Sequence, residues 1–288
     1  MDGTTRKISK IIEPQAVVEG AGVRLKRSIG THTLDYFDPF LLLDHFQSKN
    51  PADYQAGFPL HPHRGIETVT YLLTGAVRHR DSVGTAGEIG PGDLQWMTAG
   101  RGIMHEEMPQ VRPEGVTGFQ LWVNLPKRQK MIAPRYQNVN ANEIAEIKRE
   151  GGAKIRVIAG KVDGVVGPIS GIAAEPTYLD VVIAPHGSFS LPIPRGHSAF
   201  AYVFEGEGRF GPEDRTVRAP RLVGWDDGDG IQARAEEDAV RFLLVSGKPL
   251  DEPIARYGPF VMNTRAEIEQ TLEDLRSGRF ARTEPRDE

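Results

Sequence analysis

His61-Pro62-His63-Arg64-Gly65-Ile66-Glu67-Thr68-Val69-Thr70-Tyr71 and, further on, Met104-His105-Glu106-Glu107-Met108-Pro109 are the two runs whose reading decides the fold of this chain. In an extended strand successive side chains alternate faces, so His61 with His63, and His105 with Glu107, each point the same way. Two such pairs on neighbouring strands of a barrel face one another. Three imidazoles and a carboxylate then converge on one point, a donor set that suits a borderline divalent metal such as iron. A single His-x-His pair is more often a surface or core feature than a metal site. The second same-face pair, on a segment whose ends can meet, is what changes the reading.

The segment between the pairs has the punctuation that folding back requires. Residues 67–73 are rich in β-branched and aromatic types and stop at Thr74-Gly75, which reads as a strand followed by a turn. A polar strand over 76–81 runs into Gly84-Thr85-Ala86-Gly87, and Gly90-Pro91-Gly92-Asp93 is a tight turn. Residues 94–97 form the next strand, and Ala99-Gly100-Arg101-Gly102 bends the backbone just before His105. Short strands separated by Gly/Pro turns indicate a sandwich or a small barrel.

Several blocks stand in a telling order: Phe40-Leu41-Leu42-Leu43-Asp44-His45-Phe46, then residues 58–67, then Met97-Thr98-Ala99-Gly100-Arg101-Gly102-Ile103-Met104-His105-Glu106-Glu107, then Gly118-Phe119-Gln120-Leu121-Trp122-Val123-Asn124-Leu125-Pro126. Together they resemble the pirin family of the cupin superfamily, and the likeness continues through Pro134-Arg135-Tyr136-Gln137 and Val157-Ile158-Ala159-Gly160 to cover nearly the whole chain. The resemblance implies an all-β chain of two cupin-type barrels (double-stranded β-helices, or jelly rolls) in tandem. It further implies one divalent metal, usually iron as Fe(II), in the N-terminal barrel, with His61, His63, His105 and Glu107 as ligands. The general cupin pattern His-x-His-x-x-x-Glu nominates Glu67 as the acid instead. Pirins draw it from the second strand, which favours Glu107 and leaves Glu67 to orient a ligand or tune the metal from behind. Nickel, manganese, copper, cobalt or zinc fit the same donors, since affinity alone does not select the metal.

With 288 residues the chain has room for two ordinary domains, each with its own core. They are expected at residues 1–137, holding the metal, and 138–288. A net charge of −4 lacks the basic footprint of a nucleic-acid binder. No apolar run is long enough to span a bilayer, and the polar start Met1-Asp2-Gly3-Thr4-Thr5-Arg6 lacks a signal peptide's apolar core. The absence of cysteine removes disulfides, thiolate ligands and cysteine nucleophiles, and makes the cytoplasm the default compartment. A monomer is the simplest expectation.

Residues 7–12 and 17–25, with the turn Gly20-Ala21-Gly22 in the second, read as outer strands of the first barrel. His45 has a structural reading beside the rim, and His32 and His79 read as solvated. Gln120 and Trp122 share one face of the strand over 118–124, toward the cavity or away from it. The basic run over 127–130 reads as a solvated loop, and residues 142–149 as a short helix or strand. In the second half, Ala201-Tyr202-Val203-Phe204-Glu205-Gly206 repeats Thr70-Tyr71-Leu72-Leu73-Thr74-Gly75. On that register Pro192, Pro194, Ala233 and Ala235 replace the ligands, so the second barrel keeps the fold and loses the metal. His186 and His197 are spaced wrongly for a paired site. Thr264-Arg265-Ala266-Glu267 has the capping-box form, Ile268, Leu272 and Leu275 recur at helical spacing, and Gly278 ends a C-terminal helix, followed by a frayed tail over 283–288.

Three histidines and a glutamate leave one or two positions open on a six-coordinate iron. The resemblance implies flavonol (quercetin) 2,3-dioxygenase activity, with dioxygen and a small aromatic or enolic compound as partners. Glu107 then takes the 3-hydroxyl proton, and ring opening releases carbon monoxide. Arg64 and Gln120 are candidates for orienting the substrate. The alternative, also implied by resemblance, is a non-enzymatic iron-binding, redox-sensitive regulator acting through protein partners. The first reading calls for an open, partly apolar cavity over the metal; the second is content with a sealed site.

Overall fold

The computed structural model describes residues 4–281. Contacts divide it into two compact units, each a seven-stranded sheet facing a four-stranded one, and the two units are interleaved along the chain.

In the unit that holds the paired histidines, the larger sheet runs Arg135–Val139, Leu94–Thr98, Ile66–Thr74, Val116–Asn124, Phe40–Ser48, Val23–Ile29 and Gln15–Glu19. The smaller runs Phe58–His63, Ile103–Gln110, Ala76–Asp81 and Ala86–Ile89. Burial follows the residue pattern. Strand Ile66–Thr74, central in its sheet, is buried on both faces almost throughout, whereas Ile103–Gln110 begins with strict alternation of buried and half-buried residues. That alternation turns Ile103, His105 and Glu107 to one side. The turn before Ile66 needs a glycine: Gly65 has φ of +79°, and a Cβ there would collide with the carbonyl of Val261.

The ends of the chain depart from expectation. Residues 8–12 do not border the first barrel; Ile8–Ile12 pairs with Arg221–Trp225 and closes the edge of the second unit's larger sheet. Ile8 and Ile11 pack on that unit's core, and Arg6 is buried with its guanidinium donating to the carbonyls of Pro194, His197 and Gly228. Periodicity assigns a strand its faces but not its partner. The same unit takes residues 31–39 and 142–249, so a single cut at 137/138 does not describe the units, and Arg135–Val139 pairs wholly within the first.

At the other end the helix forms as read. Arg265–Arg276 starts at a capping box between Thr264 and Glu267 and is followed by Gly278 at φ of +70°. It packs against Phe260, Met262 and Phe280 and belongs to the first unit rather than the second. The expected tail over 283–288 lies outside the described residues. The run over 127–130 is not uniformly solvated either. Lys130 is buried, and its ammonium donates to Gly65 O, Asn124 Oδ1 and Val261 O at 2.8 to 2.9 Å, so every hydrogen of a buried charge is matched. Burial still pulls its pKa down to about 8.

The second unit repeats the plan. Its smaller sheet places Phe189 opposite Ala233 and Leu191 opposite Ile231, as His61 stands opposite His105 and His63 opposite Ile103. The ligand positions are therefore Phe189 and Leu191, not Pro192 and Pro194, together with Ala233 and Ala235. The slip arises because the segment after the smaller-sheet strand is longer in this half. All four side chains lie in a continuous apolar core with Phe210 and Phe242.

Candidate metal centre

His61 and His63 stand on Phe58–His63, and His105 lies directly across the ladder from His61. The rings of His61 and His63, and of His63 and His105, meet edge to face with centroids 4.9 and 5.1 Å apart, and those of His61 and His105 are tilted with centroids 4.4 Å apart. One ring nitrogen from each lies within 4.8 Å of the others. The carbonyl of Pro59 can only accept, so His61 Nδ1 carries a hydrogen and donates it at 2.9 Å, leaving a lone pair on Nε2, itself 3.1 Å from His63 Nε2.

His63 and His105 are buried. Among the described residues neither ring nitrogen of His105 has a hydrogen-bond partner. Burial, reinforced by the neighbouring rings, drives the pKa of His105 down to about 3 and that of His63 well below the ordinary value. Neutral imidazoles with unspent lone pairs converging on one point are what a metal requires and what a hydrophobic core does not tolerate. The three histidines fit a metal ion.

Glu107 is buried and borders the same cavity as His61 and His63. Its Oε1 accepts from the Thr70 hydroxyl at 2.8 Å and its Oε2 from Gln120 Nε2 at 3.3 Å; Thr70 Oγ1 is also 2.7 Å from Gln120 Oε1. Glu67 is elsewhere. It lies at odd spacing from Thr70 on the same strand, its carboxylate accepts from the Thr98 hydroxyl at 2.7 Å, and burial pushes its pKa up to about 7.

Glu107, His61, His63, Thr70 and Gln120 border a cavity of about 500 Å³. Val23, Leu25, Leu42, Phe46 and Phe58 make its walls largely apolar, and Trp122 stands edge-on to His63 at 5.1 Å with Arg256 above its face at 5.1 Å. The shared face of Gln120 and Trp122 is thus the cavity face. Arg64 points away from it. Its guanidinium bonds Asp274 at 2.8 Å and Thr271 at 3.2 Å and stacks on Phe280, tying the ligand strand to the C-terminal helix. His79 is buried rather than solvated, 3.0 Å from the amide of Gln95 and stacked on Tyr136, whereas His32 is exposed and His45 stacks on Phe119. In the second half, His186 is exposed and His197 half-buried. Sequence reading missed Thr70, whose polar side chain sits in a run that otherwise reads as core, and no spacing marks it.

Residues 22–123 match the pirin family and residues 178–281 the pirin C-terminal cupin domain. A pirin-like protein of Caulobacter vibrioides is 45% identical over 276 residues, covering 96% of this chain and 99% of that protein. The chain belongs to the pirin family. Human pirin is 40% identical over 282 residues, 96% of this chain and 94% of its own length. The crystal structure of quercetin 2,3-dioxygenase from Acinetobacter baumannii matches at a TM-score of 0.87 with 34% identity, over 96% of this chain and 99% of that one. Both barrels of this pirin-family chain are cupin domains. No helix among the described residues is long and apolar enough to cross a membrane.

Proposed function

We propose that this chain is a metal-dependent dioxygenase acting on quercetin or a similar flavonol or enol, with Fe(II) held by His61, His63, His105 and Glu107. The observation that carries the reading is the three-histidine cluster whose His61 and His63 border a largely apolar cavity of about 500 Å³, within the range of small-molecule sites. The likeness to a quercetin 2,3-dioxygenase structure supports it. A regulator needs a metal but no such chamber.

The metal would supply a Lewis acid for the enol oxygen and a place for dioxygen. The residues around it position the ring and handle its proton. Apolar walls exclude water from a flat aromatic ligand, and Trp122 presents a ring at the mouth of the histidine cluster. Glu107 receives the 3-hydroxyl proton. While it is ionised, the Thr70 hydroxyl donates to its Oε1. Once protonated, Glu107 donates to Thr70 Oγ1, and the hydroxyl turns its hydrogen to Gln120 Oε1. One rotating hydroxyl serves both charge states, and no side chain has to move. The net reaction adds dioxygen to the flavonol and yields a phenolic ester and carbon monoxide.

Oxygen uptake with quercetin tests the proposal, using ferrous-reconstituted protein beside a folded His61→Ala, His63→Ala double variant. Turnover by the wild type alone is expected. No turnover by fully metal-loaded wild type would sink it.

A further inference from the structure

A single row of polar side chains crosses the inner face of the metal-bearing barrel. Adjacent strands place Arg27 beside Asp44, Asp44 beside Gln120, and Gln120 beside Thr70. The Thr70 and Gln120 end serves Glu107. The other end has no role in that chemistry, yet Asp44 and Arg27 border the same cavity.

The pair sits among Val23, Leu25, Leu42 and Phe46 on the cavity wall. Asp44 is 4% exposed, and its carboxylate is gripped in bidentate fashion by Arg27 Nε and Nη2, both at 2.7 Å, while Arg27 Nη1 reaches Glu19 at 2.7 Å. Among the described residues Arg27 alone donates to Asp44. Each carboxylate oxygen therefore keeps acceptor capacity, in a residue that borders the cavity. Burial outweighs the ion pair and lifts the Asp44 pKa to about 6, so the carboxylate gains from any further donor. A fold needs no such pair, because a buried ion pair is commonly replaceable by apolar residues of similar volume without loss of stability.

We propose that Asp44, oriented by Arg27, is a second polar pole of the cavity that selects aromatic ligands bearing a hydroxyl on the end remote from the histidine cluster. Two strand spacings separate Asp44 from Thr70, roughly 10 Å. A ligand of two or three rings, with a hydrogen bond at each end, spans that gap; a monocyclic phenol does not. The flavonol identity of the ligand rests on the dioxygenase reading, whereas the selection itself does not.

Quenching of tryptophan fluorescence in the metal-loaded protein measures it, with two ligand pairs: quercetin against 3-hydroxyflavone, and 2,6-dihydroxynaphthalene against 2-naphthol. In the wild type the hydroxylated member of at least one pair binds about tenfold more tightly, the worth of a hydrogen bond to a charged acceptor. In the Arg27→Met, Asp44→Leu double variant, checked for folding by circular dichroism, the preference drops below about twofold while the less hydroxylated ligand keeps its affinity. Asp44→Asn provides the same comparison if the double variant does not fold. A wild type without preference in either pair, or variants that retain it, overturns the proposal. Preference that depends on Asp44 without quercetin turnover upholds this pole and sinks the dioxygenase reading alone.

Discussion

At the scale of single residues, two carboxylates in one barrel have different surroundings. Glu107 borders the cavity with His61 and His63, while Glu67 is turned to Thr98. Glu67→Gln is therefore expected to retain full metal content, whereas Glu107→Gln loses a donor and binds roughly tenfold or more weakly, as for other perturbed metal sites. Elemental analysis after dialysis separates the two. His45, stacked on Phe119 with its pKa brought down to about 3 by burial, gives a pH signature remote from the metal. The folded chain keeps this ring neutral while the unfolded chain protonates it below about pH 6.5. Its contribution is complete above that pH and declines as the pH falls toward 3, by at most about 1.4 kcal/mol per unit. His45→Phe should flatten the acid limb of a urea-midpoint series between pH 7.5 and 5; an unchanged limb contradicts the assignment. The spacing of His61, His63, His105 and Glu107 was plain in the sequence because strand parity is local. Thr70 and Asp44 were not, since a polar residue on an inward face looks the same in sequence as one facing out.

Among the elements, the C-terminal helix does more than cover a surface. Its Asp274 neutralises Arg64, the residue next to His63, with both side chains nearly inaccessible at 6% and 4%. Removing the acid leaves a buried guanidinium short of its partner, so Asp274→Ala should cost about 3 kcal/mol, seen as a lower urea midpoint. Thr264→Ala removes one half of the capping box and should cost about 1 kcal/mol. If Asp274→Ala also slows metal uptake while Thr264→Ala does not, the ion pair acts on the ligand strand and not merely on helix stability. The helix itself was readable from cap, period and stop, all local signals. Its partner was not: Arg64 lies 210 positions away in sequence from Asp274, and no short pattern records such a pairing. The candidate role of Arg64 in orienting substrate gave way for the same reason.

For the whole molecule, the two barrels have the same sheets with opposite interiors. Where the first leaves a chamber, the second packs Phe189, Phe210 and Phe242 against one another. One equivalent of metal per chain is expected, and His105→Ala should abolish it rather than halve it; residual binding near half would reveal a second site. Phe242→Ala should destabilise by about 3 to 5 kcal/mol, as a large core truncation. Duplication of the fold was legible from repeated blocks, although the alignment register slipped by three residues at the ligand strand, which only the ladder of Phe189 to Ala233 corrects.

The interleaving of the two units has a consequence for synthesis. Residues 8–12 leave the ribosome early, but the strand they pair with, Arg221–Trp225, emerges only after most of both barrels. The helix that holds Arg64 follows both barrels in the sequence. Neither half can finish on its own as it leaves the exit tunnel, unlike chains whose domains mature in order from the N-terminus. The strand of His61 and His63 is fastened only once that helix has been made, so a product truncated before it keeps its histidines but lacks the ion pair that holds the neighbouring Arg64.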